Sequence, residues 1–158
     1  VCHPILLGNA DYIKNLAKEL GLSLDGIEIV SLRSEAEAAR RHHYAQILAK
    51  KRRREGITPD EANEKMYDRN SFGMMMVECG DADAFITGTY TKYTETIQIA
   101  KDVIGIREGH YHFGAMHIIT PPTRTFFLAA TLITLHLNTV TLLDIANPSN
   151  DTPCLLAH

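Results

Sequence analysis

Hydrophobic positions along the chain fall into short runs that alternate with helical stripes. Residues 4–7 form an apolar run closed by Gly8, the pattern of a first buried strand. Asn9 then caps a helix in which Ile13, Leu16, Ala17 and Leu20 share one face, and Gly21 stops it. Residues 27–30 are rich in β-branched side chains and predict a second strand. Ser34 opens a long helix to about Arg54, with Gly56 beyond, and Thr58-Pro59 starts another with proline in its first turn. Phe72, Met75, Met76 and Cys79 recur at helical spacing from about Asn70 until Gly80. The triplet Ala84-Phe85-Ile86 then predicts a third, buried strand whose end at Gly88 lies on a functional edge. A helix over 93–103 ends at Gly105, strands are expected at 113–120 and 125–129 around Pro121-Pro122, and Asn138 caps a last helix to Ala146.

This βαβα order predicts an α/β fold with a parallel sheet and flanking helices. Residues 1–106 read as a first α/β subdomain lacking its first strand. Residues 107–146 read as the start of a second subdomain, and 147–158 as an irregular tail. The abrupt apolar start at Val1 suggests a fragment, whose sheet would keep an unpaired edge and whose isolated chain would aggregate or dimerise.

Composition narrows the function classes. The 158 residues are 45% hydrophobic and 22% charged, with a formal net charge of −3, which favours neither nucleic acid nor an anionic membrane surface. Three scattered cysteines, Cys2, Cys79 and Cys154, do not make a disulfide framework and suit the cytoplasm. Nineteen residues from 125 to 143 carry no formal charge, but five are threonine, with His136 and Asn138 among them, so a strand and a helix explain them better than a membrane span.

Candidate chemistry concentrates in two places. Thr87-Gly88-Thr89-Tyr90-Thr91 leaves the third predicted strand, where ligands gather beyond the carboxyl ends of parallel strands. Gly88 permits close backbone approach, and the hydroxyls with helix N–H groups can hold phosphate or carbonyl oxygen. The plain alternative is a βα loop with capping threonines. The basic run at 50–54 is either a helix end whose cations complement the macrodipole or an anion site built from guanidinium forks. His110 and His112 flank Tyr111, but no cysteine stands at ligand spacing and His42-His43 diverge on a helix, so no metal site is expected. Asp81 and Asp83 read as turn residues, and Cys79 as a buried thiol rather than a nucleophile.

The run RNSFGMMMVECGDADAFITG at 69–88 resembles the phosphate acetyltransferases (phosphotransacetylases). It is most similar to the phosphotransacetylase-type domain at the C-terminus of bacterial NADP-dependent malic enzymes. HPILLGN, RREGITPDEA, GTYTKYTETIQIAKDVIG and TFFLA carry the resemblance in order along the chain. It implies an incomplete isocitrate/isopropylmalate dehydrogenase-like fold, acetyl-CoA or CoA as ligand, and a homo-oligomeric parent. It also implies acyl-CoA or phosphate binding at Thr87, Gly88, Thr89, Tyr90, Lys92, Arg52 and Arg54, with no cofactor in this segment. NADP and a divalent metal would belong to a malic enzyme domain outside it.

The departures from the family pattern point away from catalysis. Thr87-Gly88-Thr89 stands for Ser-Gly-Ala, Thr91-Lys92-Tyr93 for His-Thr-Thr, and Gln98 for an arginine. Ala130, Thr134 and Leu137 replace an Asp-containing set near the second subdomain. These changes imply an acetyl-CoA-binding regulatory module of a malic enzyme with no catalytic residue of its own. The alternative is part of a working phosphate acetyltransferase.

Overall fold

The computed structural model describes residues 2–88, 91–106, 116–121 and 126–129. The chain divides into two units, Val1–Gly105 and Ile106–His158.

In the first unit, strands β1 (Ile5–Leu7) and β2 (Glu28–Val30) pair in parallel, with Leu6 opposite Ile29. Helix α1 (Ala10–Glu19) makes the crossover between them. Its first turn is fixed by Asn9, whose side chain accepts from the backbone N–H of Tyr12 at 3.0 Å. A 3₁₀ turn at Glu35–Glu37 leads into α2 (Ala38–Lys51), and a second 3₁₀ turn, Arg53–Glu55, ends at Gly56 with φ of 90°. The helix predicted at Thr58-Pro59 is α3 (Pro59–Lys65), started by a reciprocal capping box. Thr58 Oγ1 accepts from the Glu61 N–H at 3.2 Å, and Glu61 Oε2 accepts from the Thr58 N–H at 2.9 Å. The Thr58 N–H, and the Thr58 hydroxyl that donates to the same Oε2 at 3.0 Å, hold the Glu61 carboxyl below its ordinary pKa.

Helix α4 (Arg69–Cys79) is the centre of this unit. Every residue from 70 to 76 is buried, so it has no solvent face to balance an apolar one. Phe72, Met75 and Met76 join Val30, Leu48 and Met66 in the core, and Val103 from α5 (Tyr93–Val103) completes it. Gly80, at φ of 81°, turns the chain out of α4 in the left-handed region that favours glycine.

The strand predicted at 84–86 is not formed: residues 84–88 have no regular secondary structure. Phe85 packs so closely over Gly73 that any Cβ there would overlap its ring, whereas Ile86 is 95% exposed. A strand needs a neighbour for its ladder, and the described sheet of this unit consists of β1 and β2 alone. Side-chain anchoring, not strand pairing, therefore positions the segment before Gly88.

In the second unit, β3 (Met116–Ile119) and β4 (Phe126–Ala129) pair antiparallel, with Met116 opposite Ala129 and Ile119 opposite Phe126. The helix expected at 138–146, the tail at 147–158, His110, His112, Ala130, Thr134 and Leu137 lie outside the described residues. Among the described residues no helix is long and apolar enough to cross a membrane, and no cluster of His, Cys, Asp or Glu could hold a metal ion.

Candidate functional site

The geometry at 87–92 begins with Asn70, in the first turn of α4. Its carboxamide is 6% exposed and reaches across to the loop that feeds α5. Thr87 Oγ1 donates to Asn70 Oδ1 at 2.7 Å, and Asn70 Nδ2 donates to Thr91 Oγ1 at 3.1 Å. Thr91 Oγ1 in turn lies 2.9 Å from Thr96 Oγ1 in the first turn of α5. One buried amide thus ties both ends of the loop at 87–91 to the start of two helices. Spacing marked the threonines in the sequence, but it gave Asn70 only a helical position. Its role depends on partners 17 and 21 residues away.

At the other end of the same helices the basic run does different work. Arg52 Nε donates to the Asp102 carbonyl at 2.6 Å, and its Nη2 to the Lys101 carbonyl at 2.5 Å. Nη1 bonds Glu55 Oε1 at 2.5 Å. The guanidinium therefore caps the C-terminus of α5, where free carbonyls and the negative end of the dipole attract a cation. Lys51 Nζ bonds Glu78 Oε1 at 2.5 Å and the Ile104 carbonyl at 2.9 Å, joining the last turn of α4 to the end of α5. Asn70 meets Thr91 at one end and Lys51 links the other, so α4 and α5 run side by side in one direction. Their N-termini share the Thr87–Thr91 end, that of α4 capped by Asp68 and that of α5 without a side-chain cap.

The five described among the seven expected site residues do not gather in one place. Thr87, Gly88 and Lys92 lie at the N-terminal end of α5, and Thr89 and Tyr90 fall outside the described residues. Arg52 lies at the opposite end of α5, some 16 Å away for an 11-residue helix, and Arg54 follows it within two residues. Arg54 is exposed; Arg52 has its donors on carbonyls and Glu55. Lys92, at the N-cap of α5, is highly exposed and lies 3.9 Å from Glu95. Gln98, where an arginine was expected, donates to Asp102 Oδ1 at 2.7 Å.

Neither Cys79 nor Asp81 is set up as a nucleophile or a base. Partial burial pushes the Cys79 thiol up, with Asp81 and Glu78 adding to it. Asp81 accepts the hydroxyl of Tyr44, whose own pKa is raised first by burial and then by that bond. Tyr44 packs against Phe72, 5.1 Å between ring centres, so the pair closes the core rather than a cleft.

Comparison with known proteins follows the residues of this unit and continues beyond it. A family model described as phosphate acetyl/butaryl transferase matches residues 1–156. An NADP-dependent malic enzyme from Salmonella typhimurium is 31% identical over 132 residues, 82% of this chain and 17% of that protein. A phosphate acetyltransferase from Nitratidesulfovibrio vulgaris is 32% identical over 109 residues, 69% of this chain and 15% of that protein. In three dimensions the chain is similar to the EutD phosphotransacetylase from Staphylococcus aureus. The TM-score is 0.67 at 25% identity, covering 90% of this chain and 42% of that one. The chain spans less than half the length of each of these three proteins.

Proposed function

The chain belongs to the phosphate acetyl/butaryl transferase family, and from that premise we propose that it binds acetyl-CoA or CoA as a regulatory module of an NADP-dependent malic enzyme. The proposed contact is the loop of Thr87, Gly88, Thr89, Tyr90 and Lys92. Arg52 and Arg54 are left out of it, because Arg52 braces the far end of α5 and Arg54 sits beside it. The fold we assign to the whole is the isocitrate/isopropylmalate dehydrogenase type, of which this chain holds part.

The observation that carries a binding role over a catalytic one is Gln98. A fixed guanidinium there would stabilise charge developing on a transferring phosphate or acyl group. The neutral amide instead closes a hydrogen bond to Asp102 within its own helix. Neither Cys79 nor Asp81 offers a substitute base for the CoA thiol. NADP and a divalent metal are assigned to a malic enzyme domain, not to these residues. A cytoplasmic homo-oligomer completes the proposal.

Calorimetric titration of the chain with acetyl-CoA tests this reading, alongside an assay for acetyl phosphate formation. Saturable heat without acetyl phosphate is expected, and absence of heat would overturn it. The second reading, a portion of a catalytic phosphate acetyltransferase, is favoured by the similarity to proteins of that name. Phosphate-dependent turnover of acetyl-CoA would select it.

A further inference from the structure

A concavity lies in the first unit, apart from the threonine loop. It has a volume of about 380 Å³ and opens at the carboxyl ends of β1 and β2. Gly8 and Asn9 follow β1, residues 31–33 follow β2, Tyr67 enters from the link between α3 and α4, and Arg69 opens α4. This is the edge of a parallel pair at which ligands collect, and α1 starts there.

The charge of the lining is one-sided. The lining residues include Arg33 and Arg69, the latter with a partner of its own, and no acidic residue. Arg33 is exposed and makes no hydrogen bond or ion pair with any described residue. Asp68, next to Arg69, is occupied with the Ser71 N–H at 2.9 Å and hydroxyl at 3.0 Å, Asp11 lies in the first turn of α1 outside the lining, and Glu37 pairs with Arg40 at 3.4 Å.

A third cation builds the walls. Arg41 is 6% exposed, and its Nη1 donates to the carbonyls of Leu32 at 2.5 Å and Ser34 at 2.8 Å. Those two bonds fix the backbone on either side of Arg33. The same guanidinium lies 4.9 Å from the ring centre of Tyr67, on the opposing wall. Its Nε has no hydrogen-bond partner, so a buried positive group stands behind the cleft incompletely compensated.

We propose that this cleft binds a phosphate monoester, at a site distinct from the Thr87–Lys92 edge. Guanidinium forks match phosphate oxygens in pairs, and the first N–H groups of α1 favour the same charge. Asn9 and Ser31 supply partners for a sugar hydroxyl, and Tyr12 and Tyr67 supply aromatic faces. The volume is at the low end for ligand pockets, roughly 300–1,000 Å³, and suits a sugar phosphate or nucleoside monophosphate.

The test is calorimetry on the full chain with ribose 5-phosphate, AMP and adenosine. Both phosphates are expected to bind and adenosine is not. AMP binding more tightly than ribose 5-phosphate would show that the tyrosines stack a base, and equal affinities that the phosphate alone is read; either supports the site. Arg33→Glu, at an exposed position, should keep the melting temperature and weaken AMP about tenfold or more. It should leave the heat of acetyl-CoA unchanged. No heat from either phosphate, adenosine matching AMP, or an Arg33→Glu variant that binds AMP normally would overturn the proposal. So would joint loss of AMP and acetyl-CoA, because the two sites would then be one. Failure of acetyl-CoA to bind, with AMP binding intact, would overturn the acyl-CoA reading alone.

Discussion

The two ends of the α4–α5 pair are built from opposite materials. At the N-terminal end a buried neutral amide, Asn70, holds Thr87 and Thr91. At the C-terminal end Lys51 and Arg52 hold Glu78, Glu55 and three backbone carbonyls. The difference follows from the helices themselves, which offer unsatisfied carbonyls at one end and unsatisfied N–H groups at the other. Cations are consumed where the carbonyls are. The N–H end of α5 has no side-chain cap, so an anionic or carbonyl ligand has reason to bind there. Along this helix pair the charge of Lys51 and Arg52 therefore marks a structural joint, and hydroxyls mark the open edge.

The sharpest way to break that comparison is Arg52→Ala. It removes two charge-assisted bonds, one to the part-buried Asp102 carbonyl and one to the exposed Lys101 carbonyl, and we expect a loss of about 2 kcal/mol in urea unfolding. Acetyl-CoA affinity of the folded fraction should not change. Unchanged stability with weakened anion binding would reverse the assignment of the two ends. Next is Gly73→Ala. Helix propensity alone would gain about 1 kcal/mol, but overlap with the Phe85 ring should turn this into a net loss of roughly 1–3 kcal/mol. In a Phe85→Ala background the same change should cost nothing, which a double-mutant cycle would show.

Asn70→Ala tests the neutral end. It should cost about 1–2 kcal/mol, since Thr87 and Thr91 can turn to water once the amide is gone. Hydrogen exchange should quicken around 87–91 before any change in the far end. A smaller effect concerns chemical reactivity: Cys2 is exposed and Cys79 has its thiol pushed up by burial, so alkylation at pH 8 should reach Cys2 first. The smallest is the pH response of the capping box. Glu61 has a lowered folded pKa, so its contribution is present above the unfolded value of about 4.3 and is lost as pH falls through the folded one. Glu61→Gln should flatten that part of the acid limb, as read by melts from pH 6 to pH 3.

Local signals in the sequence were dependable where the stabilising partners are close by. Asn9 with Tyr12, Thr58 with Glu61 and the glycine stops at 56, 80 and 105 all act within a few residues. The parallel pairing of β1 and β2 followed from the strand–helix–strand order. Ala84-Phe85-Ile86 has the composition of a strand and is not one, because composition cannot reveal whether a pairing edge is present. Arg52 was legible as a cation but not as a cap, since its carbonyls lie 49 and 50 residues on. The cleft beside Gly8 was also missed: Gly8 read as a strand end, and nothing local ties it to Arg33 or Arg69.

Asn70 also sets a direction for protons. Its Oδ1 takes the hydroxyl hydrogen of Thr87, while its Nδ2 gives to Thr91, whose hydrogen is then left for Thr96; the Thr96 hydroxyl points on to the Lys92 carbonyl at 3.4 Å. The relay runs one way, and Thr87 stands at its head with its hydrogen already spent. What Thr87 shows an incoming molecule is lone pairs. A ligand group bearing N–H or O–H, such as a secondary amide, is matched to that position, whereas an anion must look to the backbone amides beside it.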